Sequence, residues 1–168
     1  MEMRIAGTER ESVVDGPGLR FVVFAQGCRH GCRGCHNPDT WNQAGGALIK
    51  VEDLLEQIKT ARLIKGVTFS GGEPFLQAAQ LAWLGREVKK LGLDLITFTG
   101  YTWEVLLALA EEDNAVRELL LVSDYIVDGP FIQEERDLEL PFRGSRNQRV
   151  IDAVRSRQAG VVIEAGFS

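Results

Sequence analysis

Three cysteines, Cys28, Cys32 and Cys35, are the whole cysteine complement of this 168-residue chain, and all lie in one run, Cys-Arg-His-Gly-Cys-Arg-Gly-Cys. Three thiolates this close, with no fourth in the chain, can hold three corners of a cubane iron–sulfur cluster. The fourth iron is then left without a protein ligand, and an open iron can do chemistry as well as carry electrons. Two plainer uses of the same residues stay open at this level. A disulfide is disfavoured by the odd count, the short loop and a start, Met1 to Ile5, that does not read as a secretory signal. A structural zinc site needs four nitrogen or sulfur ligands, and His30 or His36 could supply the fourth. Zinc sites usually pair two separated knuckles, however, and here there is a single compact group.

A second segment could also bind a ligand. Gly71-Gly72-Glu73-Pro74 directly follows a run that reads as a strand. Two glycines let a ligand approach the backbone with no β-carbon in the way. Backbone carbonyls there can accept from an ammonium group, and Glu73 can fix the turn or pair with positive charge. An ordinary strand-to-helix turn would read the same way if it stood alone.

The elements that must position these segments follow from periodicity. Leu19 to Ala25, Gly66 to Ser70, Leu93 to Thr99 and Tyr125 to Val127 read as strands, with Arg149 to Ile151 and Val161 to Glu164 as weaker candidates. Val51, Leu54, Leu55 and Ile58 follow helical spacing, as do Leu81, Leu84, Val88 and Leu91, with Gly92 as a stop. Thr102 is placed to cap a helix carrying Val105, Leu106 and Leu109. Strand and helix in alternation imply an α/β fold with a mainly parallel sheet. A full eightfold barrel takes about 250 residues, so this length predicts an open partial (β/α) barrel of about five to six units in a single domain, 1–168. The cysteine loop, the Gly-Gly-Glu-Pro turn, Thr99-Gly100-Tyr101 and Asp128-Gly129-Pro130 all fall at strand carboxyl ends, where such folds bind ligands. Four segments are therefore expected to converge on one rim.

Composition narrows the function classes. Hydrophobic residues make up 45% and charged residues 26%, an ordinary globular balance, and the formal net charge of −5 argues against nucleic acid as a partner. No apolar run reaches the roughly 20 residues that span a bilayer, so no membrane partner is expected and the protein is expected to be cytoplasmic.

The cysteine spacing, together with the downstream Gly71-Gly72-Glu73 turn, resembles the radical S-adenosylmethionine superfamily. The resemblance extends from about Ser12 to Asp152 and is similar to the glycyl-radical-enzyme activases: Ser12-Val-Val-Asp15-Gly16-Pro17-Gly18-Leu-Arg20, Cys35-His36-Asn37-Pro38, Thr68 to Gln77, Thr99 to Thr102, Val127 to Phe131, and Phe142 to Arg149. These motifs look most like the branch that activates the anaerobic (class III) ribonucleoside-triphosphate reductase. The resemblance implies a 4Fe-4S cluster on Cys28, Cys32 and Cys35, with S-adenosylmethionine on its free iron. It implies one-electron cleavage of that cosubstrate and hydrogen abstraction from a glycine of the reductase, leaving a glycyl radical. It also implies a reducing partner such as flavodoxin or ferredoxin. Gly71, Gly72 and Glu73 would hold the cosubstrate's amino group. Thr97 and Thr99 are candidates for its ribose or carboxylate, Asp128 for its ribose or a nearby cation, and His36 and Asn37 for the neighbourhood of the adenine. Asp15, Gly16, Pro17 and Gly18 would shape the mouth toward the partner. Gly34 departs from the aromatic residue that many superfamily members carry before the third cysteine, which removes side-chain stacking there. Arg143, Arg146, Arg149, Arg155 and Arg157 read as either a solvated basic face or a docking surface, and Trp41, Trp83 and Trp103 as packing residues. The same chemistry directed at another glycyl-radical enzyme, or at a small molecule as in deazapurine synthesis, is the alternative.

Overall fold

A computed structural model describes residues 1–35 and 38–166. The calls on His36 and Asn37 lie outside the described residues. Seven strands form one sheet: β1 (Glu2–Ser12), β2 (Arg20–Ala25), β3 (Ala47–Lys50), β4 (Gly66–Gly71), β5 (Asp94–Phe98), β6 (Tyr125–Asp128) and β7 (Arg149–Asp152). Their order is β3-β1-β2-β4-β5-β6-β7. The central strands β2, β4, β5 and β6 pair in parallel, as the alternation of elements predicts. The flanking pairings, β1 with β2, β1 with β3, and β6 with β7, are antiparallel.

The sheet is open, with β3 and β7 at its edges. The parallel part has fewer units than the expected five to six. Single crossovers join β2 to β4, β4 to β5 and β5 to β6, and the remaining length goes into the antiparallel flanks.

The two faces of the sheet differ because side chains alternate along each strand. One face carries Phe21, Val23, Val67, Phe69, Leu95, Ile126 and Ile151, packed under the helices α1 (Val51–Thr60), α2 (Ala78–Lys90), α3 (Trp103–Glu112), α4 (Asn114–Val122) and α5 (Ala153–Ala159). Helix α1 buries Val51, Leu54, Leu55 and Ile58, the stripe that its spacing predicts. The Thr102 hydroxyl caps α3 by accepting from the Val105 amide, and Asp113 does the same for α4. Each fully buried aliphatic or aromatic side chain in this layer contributes about 1.5–3 kcal/mol.

The other face has only a small apolar cluster of Ile96, Val127 and Val150, with Phe98 packed against it. It also holds Arg20, whose side chain is fully buried. The Arg20 guanidinium donates to Thr68 Oγ1 (2.8 Å), the Val67 carbonyl (2.9 Å), the Pro17 carbonyl (3.0 Å) and Asp94 Oδ1. Thr68 Oγ1 donates in turn to the Asp15 carbonyl (2.9 Å). These bonds hold the segment Asp15 to Gly18 against the sheet. Gly16 there has φ +139°, and a β-carbon would run into Ile96 and Arg20.

Val161 to Glu164 does not form a strand; it makes one bridge, Glu164 with Ile151. No helix among the described residues is long and apolar enough to cross a membrane.

Candidate active site

The carboxyl ends of the parallel strands open into a cleft of about 380 Å³. Cys28, Cys32 and Cys35 line it, together with Gly71 at the end of β4 and Gly72 after it, Thr99 and Gly100 after β5, and Gly129 after β6. The four segments expected on one rim are therefore on it. None of the three cysteines is in a disulfide, and all are partly accessible. Among the described residues, no three His, Cys, Asp or Glu side chains converge closely enough for one metal ion. A cubane does not need that convergence, because each thiolate takes a different iron.

The cysteine loop and the glycine turn are joined through their backbones. The Glu73 amide donates to the Gly27 carbonyl (2.7 Å), and the Gly72 amide to the Ala25 carbonyl (2.7 Å). Gly71 has φ +91°, and a β-carbon would lie 2.6 Å from the Ala25 backbone; one on Gly72 would collide with the Gly27 carbonyl. Glycine is required at both positions by this close approach, and the turn presents bare backbone to the cleft.

Glu73 is 1% exposed and serves as the hub of the rim. Its Oε1 accepts from His30 Nε2 (2.6 Å), the Gly100 amide (2.8 Å) and Thr99 Oγ1 (2.9 Å), and its Oε2 accepts from the Phe75 amide (2.9 Å). Its side chain fixes the turn, one of the two uses that the sequence allows for Glu73. The His30 ring also stands edge-on to Tyr101, with centroids 4.6 Å apart. A β-carbon on Gly100 would collide with that ring. The sequence offers His30 only as a zinc ligand; its partner lies 43 residues away in sequence, beyond the reach of any local pattern.

Burial pushes the Cys28 thiol above its ordinary pKa. The charges of Glu73 and the other two cysteines add to that, and a backbone hydrogen bond at His30 opposes it.

Two sequence candidates are not brought to the cleft. Thr97 points to the helix-covered face, where its hydroxyl bonds Ser123 Oγ at 2.8 Å; strand alternation puts Ile96 and Phe98 on the cleft side instead. Asp128 is 1% exposed, and its carboxylate is already engaged. It accepts from the Trp103 amide at the start of α3 (2.8 Å) and from Arg149 Nε (3.1 Å) and Nη2 (2.6 Å). Its role is to tie β6, β7 and α3 together. Asp15 does line the cleft, while Gly16, Pro17 and Gly18 continue behind it along the sheet face.

The basic run from Arg143 to Arg157 does not form one surface. Arg143 lines the cleft, Arg149 clamps Asp128, and Arg157 donates to the Leu120 and Leu121 carbonyls. Trp103 is buried as expected, whereas Trp41 lines the cleft.

Residues 14–151 match a family model described as a 4Fe-4S single cluster domain. The chain is 38% identical over 145 residues to the anaerobic ribonucleoside-triphosphate reductase-activating protein of Vibrio cholerae, covering 81% of this chain and 89% of that one. The chain belongs to this family of activating proteins. The Haemophilus influenzae member is 36% identical, with the same coverage of both chains. The pyruvate formate-lyase 1-activating enzyme of Escherichia coli K12 is 39% identical over 130 residues, covering 74% of this chain and 50% of that enzyme. The crystal structure of QueE from Escherichia coli overlays with a TM-score of 0.47 at 22% identity, covering 61% of this chain and 54% of that one. Family membership makes this a radical S-adenosylmethionine enzyme site, with a 4Fe-4S cluster and S-adenosylmethionine as its cofactors. The residues present suit both: three cysteines that form no disulfide line one cleft, beside the bare backbone of Gly71 and Gly72, which close packing on Ala25 and Gly27 keeps as glycine.

Proposed function

We propose that this protein activates an anaerobic ribonucleoside-triphosphate reductase by generating a glycyl radical on it. The observation that carries the reading is the placement of three cysteines, none in a disulfide, and the Gly71-Gly72 backbone on the walls of one cleft, in a chain of this family. When bound, the cluster and S-adenosylmethionine supply a one-electron reductive cleavage and the abstraction of a hydrogen atom from a glycine of the reductase.

The chain's own residues bind, orient and exclude water. Cys28, Cys32 and Cys35 hold the cluster as thiolates, so loading releases protons. The Gly71 and Gly72 carbonyls are the acceptors for the cosubstrate's ammonium. Glu73 supports them by fixing the turn, and Thr99 supports Glu73. Phe98, Phe131 and Phe142 give the cleft apolar walls that keep water from the reacting carbon. Asp15 lines the cleft, and Gly16, Pro17 and Gly18 behind it would brace the mouth by which the partner's glycine enters. A single domain, 1–168, carries the whole site.

The electron donor is a one-electron carrier such as flavodoxin or ferredoxin. Arg29 and Arg33 are exposed on the cluster loop and offer such a carrier a cationic approach. Three cysteines in no disulfide suit the reducing cytoplasm.

The test is electron paramagnetic resonance of the reductase after anaerobic incubation with this protein, S-adenosylmethionine and a strong reductant. A glycyl-radical doublet that needs this protein and is lost with Cys32→Ala supports the function. Cosubstrate cleavage with no radical on the reductase would assign the chemistry to another substrate.

A further inference from the structure

Gln26 closes the base of the cysteine loop. It follows the last residue of β2 and is 5% exposed. Its side-chain Nε2 donates to the Asp39 carbonyl (2.9 Å) and the Asn42 carbonyl (2.8 Å), on the chain that returns from the loop. The next two residues bond the same stretch through their backbones, the Gly27 amide to the Thr40 carbonyl (2.6 Å) and the Cys28 amide to the Trp41 carbonyl (3.1 Å). Four successive carbonyls, Asp39 to Asn42, thus accept from three successive residues, Gln26 to Cys28. The returning chain then passes so close that a β-carbon on Gly45 or Gly46 would collide with the Gln26 side chain.

Gln26 is itself anchored to the sheet side. Its amide donates to the Arg4 carbonyl (3.1 Å), and its carbonyl accepts from Gln77 Nε2 (3.3 Å). A primary amide has two N–H groups, and both are used here, on carbonyls three residues apart. An ionised carboxylate of the same length has no donor to offer either of them.

Bringing the ends of a loop together costs chain entropy. Where protein hydrogen bonds close the loop, that cost falls at folding and not at cluster loading, which is pre-organisation of the ligands. We propose that Gln26 is a positioning residue for the cluster: its two donors latch the loop shut, keep Cys28, Cys32 and Cys35 gathered, and slow the escape of iron. This rests on the assignment of the cluster to those cysteines given above.

The test follows iron release from the anaerobically reconstituted holoenzyme to a chromogenic iron chelator. Hydrogen exchange at the Gly27 and Cys28 amides is followed beside it, in the full-length chain before loading. Gln26→Met and Gln26→Glu both lack the two donors, one neutral and one charged. Each is expected to release iron about ten- to thirtyfold faster than wild type and to exchange both amides faster. Ser156→Ala is the control for a general loss of stability: its buried hydroxyl also makes two backbone bonds, both to Ile163, beside α5 and away from the loop. It should melt at a lower temperature and release iron at the wild-type rate. If Gln26→Met keeps the wild-type release rate, or Ser156→Ala matches its acceleration, the latch is overturned and the cluster assignment stands. If only Gln26→Glu is faster, the effect is that of a buried charge, and the latch is overturned in the same way. Circular dichroism melting shows whether the variants fold; if neither Gln26 variant does, Gln26 supports the whole fold and the specific role fails. If wild type takes up no iron, the cluster assignment fails and the latch falls with it.

Discussion

His30 Nε2 lies 2.6 Å from Glu73 Oε1, and this contact joins the cysteine loop to the glycine turn through side chains as well as backbone. Glu73 is buried, so each donor it loses leaves a charge poorly compensated. His30→Ala is therefore expected to destabilise the protein by about 1–3 kcal/mol in denaturant titration. Iron content after reconstitution should stay near wild type, since all three thiols remain, while the apparent KM for S-adenosylmethionine rises. An unchanged KM would show that the tie does not position the turn.

Gly72→Ala tests the close approach of the same two loops. The added methyl would collide with the Gly27 carbonyl and sit 3.0 Å from the Thr40 carbonyl, and both are backbone atoms that cannot swing aside. A loss of roughly 1–3 kcal/mol is expected, with 5′-deoxyadenosine production reduced at least tenfold. Gly92→Ala is the control for glycine replacement outside the site: its φ is also positive, at +80°, but nothing lies within 4 Å of the added carbon. It should keep near-wild-type activity per folded molecule.

Arg149 bridges buried Asp128 and exposed Glu104. Arg149→Ala leaves the Asp128 carboxylate with the Trp103 amide as its main donor, and is expected to cost about 2–3 kcal/mol. The hydrogen bond from Arg149 holds the Glu104 carboxyl below its ordinary pKa. A carboxyl lowered in the folded state adds stability that is present above its unfolded pKa of about 4.3 and is lost as pH falls through the folded value. Glu104→Gln should therefore lower stability slightly at pH 7, by about 0.5 kcal/mol given its exposure, with the difference shrinking as pH falls below about 4.3. Urea titrations of wild type and variant at pH 7 and at a series of acid pH values check this.

Thr97→Val removes a hydroxyl on the helix side of β5. Breaking its bond to Ser123 is expected to cost about 1 kcal/mol while leaving the KM for S-adenosylmethionine unchanged. A several-fold rise in KM would place this hydroxyl in the cosubstrate's environment after all.

The parallel core was legible because its signals are local. Apolar runs mark β2, β4, β5 and β6, and glycine- or cysteine-rich turns end them. Strand β1 was missed because only Met3, Ile5 and Ser12 of its eleven residues are buried, so charged and small residues hide the alternation. Strand β3 is a four-residue edge whose side chains are mostly exposed, too short for any periodicity to register. In the site, Cys28, Cys32, Cys35 and Gly71-Gly72 could be read because their chemistry is carried by close spacing. Thr97 misled because strand alternation decides which face a hydroxyl serves, and that register is set by neighbouring strands. The sequence leaves Arg143 as one charge of a basic run, a solvated face or a docking surface; only the packing of the loop after β6 turns it into the cleft.

Mössbauer and electron paramagnetic resonance spectroscopy of the anaerobically reconstituted protein, before and after addition of S-adenosylmethionine, test the central claim most directly. Four irons per chain are expected, one of them distinct from the other three, and the signal of that iron should shift when the cosubstrate is added. A single zinc per chain, or a cluster whose irons are all alike and unmoved by S-adenosylmethionine, would contradict a three-cysteine site with an open iron.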